Sequence, residues 1–226
     1  MSIRKTSFAI GEFYHLYNRG NSKQKIFLDK KDYQRFIDLL YATNREEKFN
    51  FADSLKSISL YEKNSKNRLV AIGSYCLMPN HFHILITPLV ENGVSKFMQK
   101  LSTAYVMYFN QKYNRTGALF EGKFKSQYIG DDKYLKYLFS YIHLNPLKLV
   151  QKDWKESGIK NKKRAIQYLS EYQYSSLLDY LEIQRQQNKI INKKPFPDYF
   201  PQKNDVLEEI FEWISYEDSL DSLGKT

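Results

Sequence analysis

A chain of 226 residues, with 42% hydrophobic and 16% aromatic side chains, is long enough to bury one real core and too apolar to be disordered throughout. Its 35 Lys and Arg against 25 Asp and Glu leave +10, which favours a polyanionic partner such as nucleic acid. The single cysteine, Cys76, excludes an internal disulfide and a Cys-rich zinc site, and no apolar stretch reaches the ~20 residues that span a bilayer, so no membrane partner is expected.

The opening MSIRKTSFAIGEF lacks the apolar core of a signal peptide, so the chain is expected to be cytoplasmic. Phe13 to Asn18 (FYHLYN) is rich in β-formers and stops at the turn signal Arg19-Gly20-Asn21, which predicts a strand. A helix is predicted from Asp29, an N-cap, through Leu40, because Tyr33, Phe36, Ile37 and Leu40 fall at helical spacing. Residues 44 to 67 are polar and mixed and predict a connection. Leu69 to Leu77 is a continuous apolar run, as in a buried strand, with Cys76 a buried thiol inside it. Met78-Pro79-Asn80 predicts a turn into a paired strand, His81 to Thr87 (HFHILIT). Ser95 to Tyr113 is the most periodic segment and predicts a long helix. A loop over Asn114 to Gly122 leads to an alternating strand, Lys123 to Ile129. A helix from Asp131 to about Asn145 follows, stopped by Pro146.

The order β-α-β-β-α-β, then a helix, predicts an α+β, ferredoxin-like split βαβ arrangement: an antiparallel four-stranded sheet with helices on one face. Past Val150 the pattern loosens. A basic run, Lys160 to Arg164, precedes a possible helix near Ala165–Tyr180; Pro195 to Pro201 forms a Pro-rich joint, and Asp205 to Tyr216 reads as a final amphipathic helix. The chain thus divides into a domain over residues 1–150 and a basic, mostly helical C-terminal extension over 151–226.

Of four histidines, His15, His81, His83 and His143, the pair at 81 and 83 is the informative one. Side chains two apart in a strand share a face, so both imidazoles can reach one ion while Phe82 points to the core. Such a pair also arises by chance at a solvent-facing strand. Tyr141 and Asn145 are four apart on the helix before Pro146, hence neighbours on one face. Two imidazoles and an amide oxygen, with positions left for phosphate, suit Mg2+ or Mn2+ better than a closed zinc site. With 19 tyrosines in the chain, spacing alone does not select Tyr141 over Tyr134 or Tyr137.

The stretches YHLYNRG (14–20), LMPNHFHILITP (77–88), YNRTGALFEGKFKS (113–126) and YLKYLFSYIHLNPLK (134–148) strongly resemble the REP-associated tyrosine transposases, single-tyrosine HUH transposases of insertion sequences. The likeness covers residues 13 to about 150, its motifs arrive in the family's order, and YQYSS (172–176) adds a weaker match. The resemblance implies that residues 1–150 are an HUH catalytic domain with His81 and His83 as metal ligands, Tyr141 as nucleophile and Asn145 as third ligand. Some relatives carry Gln at that last position. His143, two residues from Tyr141 on the helix, faces elsewhere and is read as structural, or at most a DNA contact.

The activity so implied is a metal-dependent single-stranded DNA endonuclease and strand transferase. It would cut at or near hairpin DNA through a 5′-phosphotyrosine intermediate. Arg19, Arg115, Lys123 and Lys125 are the candidate phosphate contacts, and Tyr113, Phe120 and Phe124 the candidate base-stacking rings, although each also fits a core or solvated role. The basic tail from Lys160 is a candidate grip on a hairpin stem. Short relatives form dimers and longer repeat-associated ones act as monomers, so monomer or homodimer is open, with the extension favouring monomer. The alternatives are a non-catalytic or domesticated DNA or RNA hairpin-binding protein, and a hydrolase in which water attacks.

Overall fold

Alternation along the strands decides which side of the sheet each motif faces. In the computed structural model, which describes residues 8–47, 61, 67–200 and 206–212, the core elements are β1 (Phe13–Arg19), α1 (Lys30–Ala42), β2 (Val70–Met78), β3 (His81–Pro88), α2 (Gly93–Lys112), β4 (Lys125–Ile129) and α3 (Asp132–Leu144). The sheet order is β2-β3-β1-β4 with every neighbour antiparallel, the ferredoxin-like topology that the element order predicts.

Local chemistry explains the boundaries. Asp29 caps α1 in a reciprocal box with Asp32, and Asp131 caps α3 by accepting from the Tyr134 amide. Strand β4 begins at Lys125 rather than Lys123, because Gly122 takes φ +132° and turns the chain just before the register with β1 opens at Tyr17↔Lys125. The connection at 44–67 falls largely outside the described residues.

Two apolar layers enclose the sheet. Leu16, Leu77, Phe82, Ile84 and Ile86 pack under α1 and α2, the two helices of the split βαβ, on one face. Cys76, Met78, Leu85 and Ile129 pack on the other face against Leu138, Phe139 and Ile142 of α3. Because β3 alternates, burying Phe82 in the first layer puts His81 and His83 on the α3 side.

The C-terminal extension builds onto this second layer. It contains α4 (Trp154–Ser157), α5 (Lys162–Glu171), α6 (Leu177–Tyr180) and α7 (Val206–Glu212), and Trp154, Leu169, Leu177 and Ile210 share the apolar cluster with α3. The single helix expected near Ala165–Tyr180 is broken at Tyr172–Ser176, because that segment is used to cover the edge of β2. Tyr172 donates to the Leu77 carbonyl at 2.6 Å, the Leu77 amide donates to Tyr174 at 3.0 Å, and Cys76 bridges Ser175. These bonds cap an otherwise open strand edge. Only Val206–Glu212 of the predicted final helix lies within the described residues, and it is helical. No helix among the described residues is long and apolar enough to cross a membrane.

Candidate active site

The site forms where three chain segments are tied together at one end of β1. Gly20 donates to the Asn80 carbonyl at 2.9 Å, and the Ile26 and Phe27 amides both donate to Pro79. A Cβ on Gly20 would stand 2.2 Å from the Gln24 carbonyl oxygen, so the NRG turn needs glycine for close backbone approach. On the other flank Asn21 donates to Leu119 and Glu121 donates to Arg19, both backbone to backbone. The turn before His81 is thereby held from outside as well as by its own strands.

Arg19 pairs across β1 and β3 with His81, and Tyr17 with His83. The two imidazoles are 5.0 Å apart between ring centres, at 86° to one another. His81 Nδ1 lies 2.7 Å from Asn80 Oδ1, and His83 Nδ1 lies 2.8 Å from His15 Nε2. Each histidine of the pair thus uses Nδ1 for a hydrogen bond and keeps Nε2 for another partner. Burial pushes His15 and His81 down to about 4, and burial with the neighbouring His15, His81, Lys148 and Lys155 holds His83 well below its ordinary range. At neutral pH all three rings are uncharged and competent as ligands or hydrogen-bond acceptors.

Helix α3 delivers the remaining groups. Tyr141 meets the His83 ring edge-on at 5.6 Å and the His15 ring at 6.5 Å, and stacks on Tyr137 at 6.0 Å. One turn on, Asn145 caps the helix, and its Nδ2 donates to the Tyr141 carbonyl at 3.1 Å. That bond commits the amide nitrogen and leaves Asn145 Oδ1 buried, without a full-geometry hydrogen bond but facing His81 closely enough to act as a weak hydrogen-bond partner that partly opposes the lowering of its pKa. A buried amide oxygen facing His81, with His83 on the same side of the sheet and both rings bonded through Nδ1, fits a divalent cation, for which oxygen and imidazole are suitable donors. Among the described residues no three His, Cys, Asp or Glu side chains form a metal cluster, so the third donor would be this amide.

A cavity of about 350 Å³ opens over these groups, lined by Tyr17, Asn18, Arg19, Lys23, Asn80, His81, His83, Glu121, Lys125 and Tyr141. Of the four cations expected to bind phosphate, Arg19 and Lys125 line it. Arg19 is engaged by Glu121, with Nη2 2.7 Å from Oε1. Lys123 lines a separate groove between α2 and Phe124, and Arg115 packs its guanidinium over the Phe109 ring at 5.4 Å. All three expected stacking rings are engaged in the fold: Phe120 is buried against Phe82, Tyr113 donates to Asp32 at 2.8 Å, and Phe124 stacks on Phe8 at 6.4 Å. Phe124 is half-buried. His143 is fully buried on the far side of α3, 2.8 Å from Ser176 Oγ, a structural position.

Sequence reasoning passed over His15, Asn80, Lys148 and Lys155. Lys155, from α4 in the extension, stands 4.3 Å from the centre of the Tyr141 ring. Asn80 was legible as the neighbour of His81; the other three reach the site only through strand pairing or packing.

Comparison with known proteins sets the family. The family model described as "Transposase IS200 like" matches residues 13–145, more than half of the chain. The chain belongs to the IS200-like transposases. Among solved structures that match, a REP-associated tyrosine transposase bound to a REP hairpin is 13% identical, with a TM-score of 0.50, over 81% of this chain and 87% of that one. At that identity the likeness speaks for the fold. A search of curated proteins gave no match. For this IS200-like transposase the matched span ends on Asn145, so it contains His81, His83, Tyr141 and Asn145, while Lys148 and Lys155 lie beyond it.

Proposed function

We propose that this transposase cuts and rejoins single-stranded DNA at or near a hairpin, with Tyr141 as the nucleophile. The observation that carries the reading is the convergence of Tyr141, His81 and His83 at one cavity rimmed by Arg19, Lys23 and Lys125, with Asn145 buried behind it against His81 and the Tyr141 carbonyl. In the proposed reaction the Tyr141 phenolic oxygen attacks phosphorus and the P–O3′ bond breaks. A 5′-phosphotyrosyl link forms, the phenolic proton leaves, and the departing 3′ oxygen takes one up. A free 3′ hydroxyl reverses the step on a new strand, so phosphodiester energy is conserved without a nucleotide cofactor.

A phenol with an ordinary pKa of about 10 is a poor nucleophile at neutral pH. Lys155 over its ring face favours the anion by direct electrostatics. Tyr137 and His83 hold the ring in place, which limits the orientations it must lose on attack. His81, His83 and Asn145 would hold Mg2+ or Mn2+, and when bound the cation would polarise a non-bridging phosphate oxygen and offset its growing charge. Arg19, Lys23 and Lys125 at the rim would seat the flanking phosphates. All four central groups come from one chain, which supports a monomer as the active unit. The hairpin substrate is favoured by the structural neighbour's own ligand and by the exposed basic run Lys160–Arg164 that leads into α5.

The test is incubation with labelled single-stranded hairpin DNA and Mg2+ or Mn2+, resolved on a denaturing protein gel. A labelled band at protein mass, lost with Tyr141→Phe and with chelator, is the expected result. Cut DNA with no such band would mean water attacks. Binding without cutting would mean a non-catalytic hairpin binder.

A further inference from the structure

His15 lies outside the His-x-His pair, yet it is buried directly behind it. It sits on β1 opposite Leu85, two register positions from the Tyr17↔His83 pair and so on the same face of the sheet, and its ring lies nearly parallel to that of His83 at 5.0 Å and 23°. Its Nε2 is 2.8 Å from His83 Nδ1, the nitrogen that faces away from the position a ligand would take on Nε2. His81 has the equivalent support from Asn80 Oδ1. A metal-ligating imidazole whose second nitrogen is held by an acceptor is fixed in one tautomer and one orientation, and removal of that acceptor weakens metal binding.

We propose that His15 is a positioning residue for the metal site: its Nε2 accepts from His83 Nδ1–H and so presents the His83 Nε2 lone pair to the cation. This assigns tautomers to both rings. His83 carries its proton on Nδ1; His15, accepting through Nε2, carries its own on Nδ1. His15 also touches the edge of Tyr141, so the same ring sets the spacing between ligand and nucleophile. The inference rests on the metal-site reading above, and its test separates the two.

The first measurement uses the wild-type protein without metal: nitrogen NMR of the histidine rings. It should show His83 protonated at Nδ1 and a coupling across the hydrogen bond to His15 Nε2. A proton on His83 Nε2 would overturn the proposal. The second is Mn2+ affinity without DNA, by calorimetry, for wild type, His15→Gln and His15→Phe, with His81→Ala as the site control. Glutamine places an acceptor where the His15 Nε2 stands; phenylalanine keeps the ring and removes the acceptor. We expect His15→Phe to bind Mn2+ roughly 10- to 100-fold more weakly, and His15→Gln to stay near wild type. Equal loss in both variants, or no loss in either, would overturn the proposal while leaving the metal site intact. Loss of one coordinated imidazole nitrogen in pulsed electron resonance of Mn2+-loaded His15→Gln would make His15 a ligand instead, which also overturns it. Wild type with no Mn2+ affinity that His81→Ala removes would sink the metal-site reading itself.

Discussion

Tyr141 differs from the other tyrosines of α3 in what surrounds its ring rather than in its place in the pattern. Tyr137 stacks on it, His83 and His15 meet it in T-shaped contacts, and Lys155 stands over the ring. Tyr141→Phe should keep that packing and therefore keep hairpin binding, while losing both cleavage and the covalent adduct. Lys155→Gln tests the electrostatic part. The cation stabilises the phenolate charge that develops on attack more than the neutral ring, and a difference of the size of a cation–π contact, about 0.5–2 kcal/mol, would slow adduct formation roughly 2- to 30-fold in the variant. Adduct formation at the wild-type rate in Lys155→Gln, with hairpin binding unchanged, would make Lys155 a packing residue only. Lys155 was beyond the reach of sequence reasoning because it lies in a loosely patterned segment, and only the packing of α4 brings it back over α3.

At the scale of elements, the turns do more for the site than the helices do. The NRG turn after β1 and the MPN turn before β3 hold one another through backbone bonds, and that clasp sets the approach of His81. Gly20→Ala should cost about 1–3 kcal/mol in urea unfolding, since the added carbon would meet the Gln24 carbonyl oxygen at 2.2 Å and the backbone must shift. Its metal affinity should fall with its stability. Unchanged unfolding would mean the turn relaxes freely and the clasp is unimportant. The strands and the long helices were legible from period alone, because burial on one or two faces writes itself into alternation or 3.6-residue spacing. The break at Tyr172–Ser176 was not, because those residues leave the helix to satisfy the β2 edge, a demand made by a strand about a hundred residues away.

For the whole molecule, the extension packs on the sheet around a buried pair of its own that reaches β2 through Tyr75. Arg185 makes a bidentate pair with Asp179, at 2.8 and 2.7 Å, and donates further to the Ser175 carbonyl at 2.8 Å and Tyr75 at 3.3 Å. Arg185→Ala leaves Asp179 buried without its partner and should cost about 3–5 kcal/mol. Because that loss reaches β2, the effect should appear as a lower midpoint of a single transition. Unfolding of the extension alone at a lower denaturant concentration would separate the two parts.

Stability should also depend on pH through the buried histidines. Unfolded, each protonates near 6.5; folded, burial holds His15 and His81 at about 4 and His143 at about 3. Between those limits the unfolded chain binds more protons, so the stability present above pH 6.5 is lost as pH falls towards 4. A urea midpoint that holds or rises from pH 7 to pH 5 would contradict this.

Sequence alone determined the order and type of the core elements, the family resemblance, and the pairing of His81 with His83, since all of these are written in local periodicity and contiguous motifs. It also placed Tyr141 and Asn145 on one helical face, because four residues make one turn. Tertiary structure decided which side of the sheet that face would meet, which cations would share the cavity, and that His15 would stand behind His83. Those outcomes depend on strand register and on the packing of distant segments. Neither is encoded within the span of any one motif: register brings together His15 and His83, 68 positions apart, and packing chose Arg19 and Lys125 for the cavity while leaving Arg115 and Lys123 outside it.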